Sequence, residues 1–193
     1  MNLLVLGPQG AGKGTQAKRI SSDYAIPHVS TGDMFREAIA SGTELGQKVK
    51  PILDSGKLVP DDLTVGLTQD RLANPDALRG FILDGFPRNQ AQAEALDSML
   101  TSIGRRLDAV LFLDLPDEVA TERMLARAEI ENRPDDTPDV IAERLANYHE
   151  QTEPIVEHYR AAGILVPLHA ERTINEVYAE IQDALDRLDG GTQ

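Results

Sequence analysis

Five short apolar stretches, at residues 3–6, 27–30, 80–84, 109–113 and 164–168, constrain this chain more than any other feature. The best of them are apolar on consecutive positions rather than alternating, the mark of strands buried on both faces of a parallel sheet. Helical patterns fall between them, at 15–24, 61–74, 90–103, 117–128 and 137–162. Strands alternating with helices predict βαβ units and an open, mostly parallel sheet. A closing helix over 173–188 carries Ile174, Val177, Ile181, Leu185 and Leu188 at helical spacing and is expected to pack on that sheet; the tail 189–193 reads as frayed. Two segments break the rhythm. Residues 31–60 form a helical excursion punctuated by Gly42, Gly46, Pro51, Gly56 and Pro60, and 128–137 is polar between two helices. Such segments on a rigid sheet are candidates for moving covers.

The 193 residues suffice for one domain with a sizeable core. There are no cysteines, which excludes disulfides, thiolate metal sites and a cysteine nucleophile. The first apolar run is too short for a signal peptide or a membrane span and no basic stretch precedes it, so an intracellular, cytoplasmic protein is expected. Nineteen Lys and Arg against 32 Asp and Glu give a net charge of −13, which argues against nucleic-acid or anionic-membrane partners. An acidic protein that binds a polyanion must gather its few cations in one place.

The segment from Gly7 to Thr15 (Gly-Pro-Gln-Gly-Ala-Gly-Lys-Gly-Thr) follows the first strand directly and opens a helix. In that context glycines let successive backbone N–H groups turn toward phosphate oxygens, and the helix N-terminus adds its positive dipole end. Gly10, Ala11, Gly12, Lys13, Gly14 and Thr15 are therefore the candidate phosphate cradle. Lys13 is expected to reach the β- and γ-phosphates, with the Thr15 hydroxyl near a Mg2+ ion. The alternative is a plain Gly-rich turn. Lys13 is followed by Gly14 and only then by Thr15, a departure from the general pattern. In this form the run resembles the phosphate loop of adenylate kinases and their nucleoside monophosphate kinase relatives.

Further motifs carry the same resemblance. Ser30-Thr31-Gly32-Asp33-Met34-Phe35-Arg36 is similar to the segment that opens the family's AMP region, which implies Thr31 near the base and Arg36 on the AMP phosphate. Taken alone, Thr31 reads as a helix cap and Arg36 as a solvated charge. Val59, in Lys57-Leu58-Val59-Pro60, resembles the stretch lining the AMP base. Asp84-Gly85-Phe86-Pro87-Arg88 ends a strand at the carboxyl edge of the sheet, where ligands of open α/β folds bind. Asp84 can hold a Mg2+-bound water there, Gly85 permits close approach of AMP, and Arg88 can bridge two phosphates. Gln92 resembles the family's base-reading glutamine. Arg123 and Arg127 share a helix face, and with Arg133 and Arg144 they match the family's lid and clamp arginines in order. Surface pairing with Glu122, Glu143 or Glu150 is the alternative for any one of them.

The resemblance implies a P-loop three-layer α/β/α fold with a central five-stranded parallel sheet. Within one kinase domain, it divides the chain into a core (1–30, 61–127, 138–193), an NMP-binding region (31–60) and a short lid (128–137). It implies a monomer that takes ATP, AMP and ADP, uses Mg2+ with ATP and carries no zinc. The implied catalytic set is Lys13, Asp84, Arg88, Arg123, Arg133 and Arg144; Arg123 and Arg127 join the ATP site, and Arg133 and Arg144 the AMP site. A UMP/CMP kinase on the same framework and a non-catalytic nucleotide switch are the alternatives. His28, His149, His158 and His169 are scattered and read as structural or exposed.

Overall fold

The apolar runs form the central sheet of a three-layer structure. The computed structural model describes residues 1–130 and 136–190. Its strands are β1 (Asn2–Leu6), β2 (His28–Ser30), β3 (Phe81–Asp84), β4 (Ala109–Asp114) and β5 (Leu165–His169). They lie in the order β2-β3-β1-β4-β5, and every pairing is parallel, as the sequence predicts. The helices are α1 (Lys13–Asp23), α2 (Thr31–Ala40), α3 (Glu44–Asp54), α4 (Asp61–Leu72), α5 (Gln90–Ser102), α6 (Asp117–Ile130), α7 (Pro138–Asn147), α8 (Pro154–Ala161) and α9 (Ile174–Gly190).

Side-chain alternation along each strand divides the apolar residues between two faces. Leu3, Val5, Ile82 and Leu111 pack with Ile20 of α1, Met124 of α6 and Ile181 of α9. Leu4, Leu6, Leu83 and Val110 pack on the other face with Leu96 of α5 and Tyr159 of α8. Both faces are thus closed to water, which is why the strands read as unbroken apolar runs. The 31–60 excursion has a small core of its own, Phe35, Val49 and Val59, capped by Leu63 and Leu67 from α4.

A single helix is expected over 137–162, and the structure divides it. Pro154 has no N–H to continue the ladder and its ring collides with the preceding turn. The chain absorbs this with one wide turn at Tyr148–Thr152, where Glu153 N donates to Tyr148 O at 2.8 Å. Beside the break, the Thr152 hydroxyl reaches the segment after β3 and donates to Arg88 O at 2.8 Å. The expected tail 189–193 falls partly outside the described residues.

Just beyond α1, Ala25 has φ 53°, the left-handed region that glycine enters without a Cβ penalty. Ala25→Gly removes that strain but gives the unfolded chain more freedom. A net stabilisation of about 0.5 kcal/mol is expected, read as a higher urea midpoint.

Candidate functional site

The strand order decides where a ligand can sit. From β1 the chain runs out to the edge strand β2, whereas from β3 it crosses to β4 on the far side of β1. The loops after β1 and β3 therefore diverge and leave a crevice above the carboxyl ends of these neighbours. A cleft of about 1010 Å3 opens there.

The β1–α1 loop forms its floor. Gly10 has φ 85°, and a Cβ on it would stand 2.6 Å from Ala120 O, so only glycine lets the loop lie this close to α6. Gly12, also left-handed at φ 87°, precedes α1 with no side-chain cap and no acidic residue in the first turn. The helix thus presents free N–H groups and an uncompensated positive end. Lys13 folds back over the loop, donating from Nζ to Gly7 O (2.8 Å) and Pro8 O (2.7 Å). Burial pulls its pKa from 10.5 down to about 8; Asp84 opposes the fall, and Arg88 and Arg127 add to it. Gly12, Gly14 and the exposed Thr15 line the cleft, while Ala11 is buried in the core beneath it.

Asp84 ends β3 between Val5 of β1 and Ser30 of β2. Its Oδ2 lies 3.2 Å from His28 Nε2 and 3.5 Å from where a Gly14 Cβ would be. The carboxylate therefore sits against the phosphate loop, in the space left open by Gly14. At Gly85 (φ 82°) a Cβ would come within 3.0 Å of Thr31 Oγ1 and 3.2 Å of the Arg88 guanidinium. Its carbonyl accepts from Thr31 Oγ1 (2.9 Å) and Arg88 Nε (2.7 Å), holding both side chains at the crevice. Burial, with Arg144 and Arg36 nearby, pulls the Arg88 pKa down, and Asp84 counters this. These cations repel one another in a partly desolvated space, an arrangement that a polyanion relieves.

Arg36 lines the same cleft and pairs with Asp33 one turn away. Arg123 is tied by its guanidinium to Ala170 O (2.9 Å) and Glu171 O (3.3 Å), beyond β5. Arg127 and Arg144 converge on the buried carboxylate of Asp136: Arg127 donates twice, at 3.1 and 2.7 Å, and Arg144 once. Thr31, Val59 and Gln92 line a smaller adjoining cavity of about 30 Å3, and Gly85 and Arg88 border both. One continuous site thus contains the expected residues except Ala11, which lies beneath it, and Arg133, which is outside the described residues. The centre of the expected lid, 131–135, is outside them too.

His28, read as structural or exposed, is a largely buried contact of Asp84. Sequence reasoning missed other groups. Asp136 carries no signal as the partner of two arginines. The wall formed by Glu171, Arg172, Thr173 and Ile174 enters the cleft only because β5 ends beside it; the rule that ligands sit at the carboxyl ends of strands would have flagged it. Among the described residues, no three His, Asp or Glu side chains are grouped to hold a metal, and no helix is long and apolar enough to cross a membrane.

A family model described as adenylate kinase matches residues 5–164. An adenylate kinase from Cyanothece sp. is 50% identical over 188 residues, covering 97% of this chain and 96% of the relative. One from Caulobacter vibrioides is 48% identical over 191 residues, covering 99% and 100%. One from Archaeoglobus fulgidus is 43% identical over an alignment of 215 residues, covering 97% and 99%.

Proposed function

This chain belongs to the adenylate kinase family, and on that premise we propose that it catalyses the reversible, Mg2+-dependent transfer of the γ-phosphoryl group of ATP to AMP, giving two ADP. The observation that carries this reading is the gathering of cations. In a chain of net charge −13, Lys13, Arg36, Arg88, Arg123, Arg127 and Arg144 all line one cleft over an uncapped helix N-terminus.

The attacking group is a phosphate oxygen of AMP. Its second pKa is near ~6, so at neutral pH it is already an oxyanion and no general base is required. The protein's task is to align two polyanions and neutralise the charge that builds on the transferring group. Lys13 and the loop N–H groups hold the ATP phosphates; Arg123 and Arg127 complete the donor side, with the 171–174 wall beside the base. Arg36 and Arg88 hold the AMP phosphate. Arg144, joined by Arg133, closes on the phosphoryl in flight. Mg2+ would sit on the nucleotide phosphates beside Thr15 and Asp84, where it adds positive charge; the position of Asp84 against the phosphate loop fits this.

Thr31, Val59, Gly85 and Gln92 take the AMP base. Their cavity, about 30 Å3, has room for a water molecule or two but not for a purine. The 31–60 region therefore shifts when AMP enters, and the 128–137 lid closes when both nucleotides are bound, excluding water as a competing acceptor. The enzyme works as a cytoplasmic monomer.

The test is ADP formation from ATP and Mg2+ with AMP, CMP, UMP or GMP as acceptor. Turnover with AMP far above the others is expected. A preference for CMP or UMP would keep the transfer chemistry and overturn the base assignment. Tight ATP binding without transfer to any monophosphate would leave only a binding module.

A further inference from the structure

We infer that Asp61 is a specificity-determining residue for the acceptor base: it locks the Gln92 amide in the one orientation that accepts adenine and rejects a purine bearing a 6-oxo group. This rests on the reading of Gln92 as the residue that meets the AMP base.

Gln92 is only 2% exposed and lines the small cavity. Its Oε1 accepts from Arg88 N at 2.8 Å, and its Nε2 donates to Asp61 Oδ1 at 2.7 Å. A main-chain N–H can only donate and a carboxylate can only accept, so the chemistry of the two partners settles which end of the amide is oxygen. The same Asp61 oxygen accepts from Asn89 Nδ2 at 2.9 Å, while Asn89 Oδ1 caps α5 by accepting from Gln92 N at 2.9 Å. Asp61, the first residue of α4, is thereby tied twice to the start of α5.

With these bonds made, Gln92 keeps one Nε2 hydrogen and one Oε1 lone pair. Adenine offers the matching pair, an acceptor at N1 and a donor at the 6-amino group. Hypoxanthine and guanine reverse both, with N1–H and a 6-oxo group. To pair with them the amide must turn over. That would set Nε2 against the Arg88 N–H and Oε1 against the Asp61 carboxylate, so two favourable contacts become two repulsive ones. Asp61 is exposed but the Gln92 amide is buried, so a mismatch at that amide discriminates between the bases. Without Asp61 one of the two locks is gone.

The decisive probe is IMP, which differs from AMP only at positions 1 and 6 of the base. We would measure kcat/KM for AMP and IMP in the native enzyme, Asp61→Ala, Asp61→Asn and Gln92→Ala, with thermal unfolding of each. In Asp61→Ala the AMP-to-IMP ratio should fall by at least about tenfold while KM for ATP stays at its native value. Asp61→Asn, which keeps an acceptor oxygen but can also present a donor, should lie between. A native ratio in folded Asp61→Ala and Asp61→Asn, with the ratio lost in Gln92→Ala, would overturn the role of Asp61 and leave the base assignment intact. A native ratio in Gln92→Ala as well would overturn the assignment of Gln92, and this inference with it.

Discussion

Replacing Lys13 with Met is expected to lower kcat for ADP formation by about 10²–10³ and, at neutral pH, to make the protein more stable. The first effect follows from removing the preorganised cation that we propose holds the ATP phosphates. The second follows from the cost of holding that cation without them. Burial lowers the Lys13 pKa from 10.5 to about 8, so the folded state binds fewer protons than the unfolded state between these values. The sign is fixed by linkage: the cost of the buried ammonium is complete below about pH 8 and fades as pH rises toward 10.5. At full burial the shift is worth roughly 3 kcal/mol. Part of Lys13 still reaches solvent, and Met leaves the carbonyls of Gly7 and Pro8 without their donor, so a net gain of about 1 kcal/mol is the expectation. Urea unfolding at pH 7 and at pH 10 checks it. Lys13→Met should be the more stable protein at the lower pH, with the gap narrowing at the higher. A variant less stable than the native chain at pH 7 would mean that the lost hydrogen bonds to Gly7 O and Pro8 O outweigh the cost of the buried ammonium. Function and stability oppose each other here because the site is built for an anion that is not always bound.

Replacing Asp136 with Ala is expected to destabilise the protein by about 3 kcal/mol. The Asp136 side chain is fully buried and accepts from Arg127 and Arg144 together, whereas those two side chains are 27% and 14% exposed. Removing the carboxylate takes away the negative charge that these two guanidiniums share in a partly desolvated space. Asp136→Asn keeps oxygen and shape but not charge, and should lose about half as much. The measurement is again the urea midpoint, with ATP present in a parallel series. ATP should restore more stability to Asp136→Ala than to the native protein, since its phosphates supply the missing negative charge. A stability within about 0.5 kcal/mol of native would show that Asp136 is not what balances the two arginines.

Much of this site was legible because it is built from local chemistry. The Gly7–Thr15 run lies between a strand and a helix, and that context alone marks it as a phosphate-loop candidate. Asp84 closes, and Gly85 through Arg88 follow, a strand whose Phe81, Ile82 and Leu83 are all apolar, the mark of burial on both faces. The helix break before Pro154 was also written in the chain, since a proline cannot donate the bond that an unbroken helix needs; the 137–162 expectation passed over it.

Partnerships between distant segments were not legible. That Arg127 and Arg144 share Asp136, that Arg123 is held by carbonyls beyond β5, and that Asp61 and Gln92, 31 residues apart, share a hydrogen bond depend on where the backbone returns. Composition and periodicity determined that this chain would bury a parallel sheet and carry a phosphate loop, because burial period and glycine geometry act over a few neighbouring residues. Which carboxylate meets which arginine, and which way a buried amide points, was decided only by the tertiary structure. A charge or an amide takes the partner that packing brings within about 3 Å, and packing is set by the whole sheet rather than by the residues on either side.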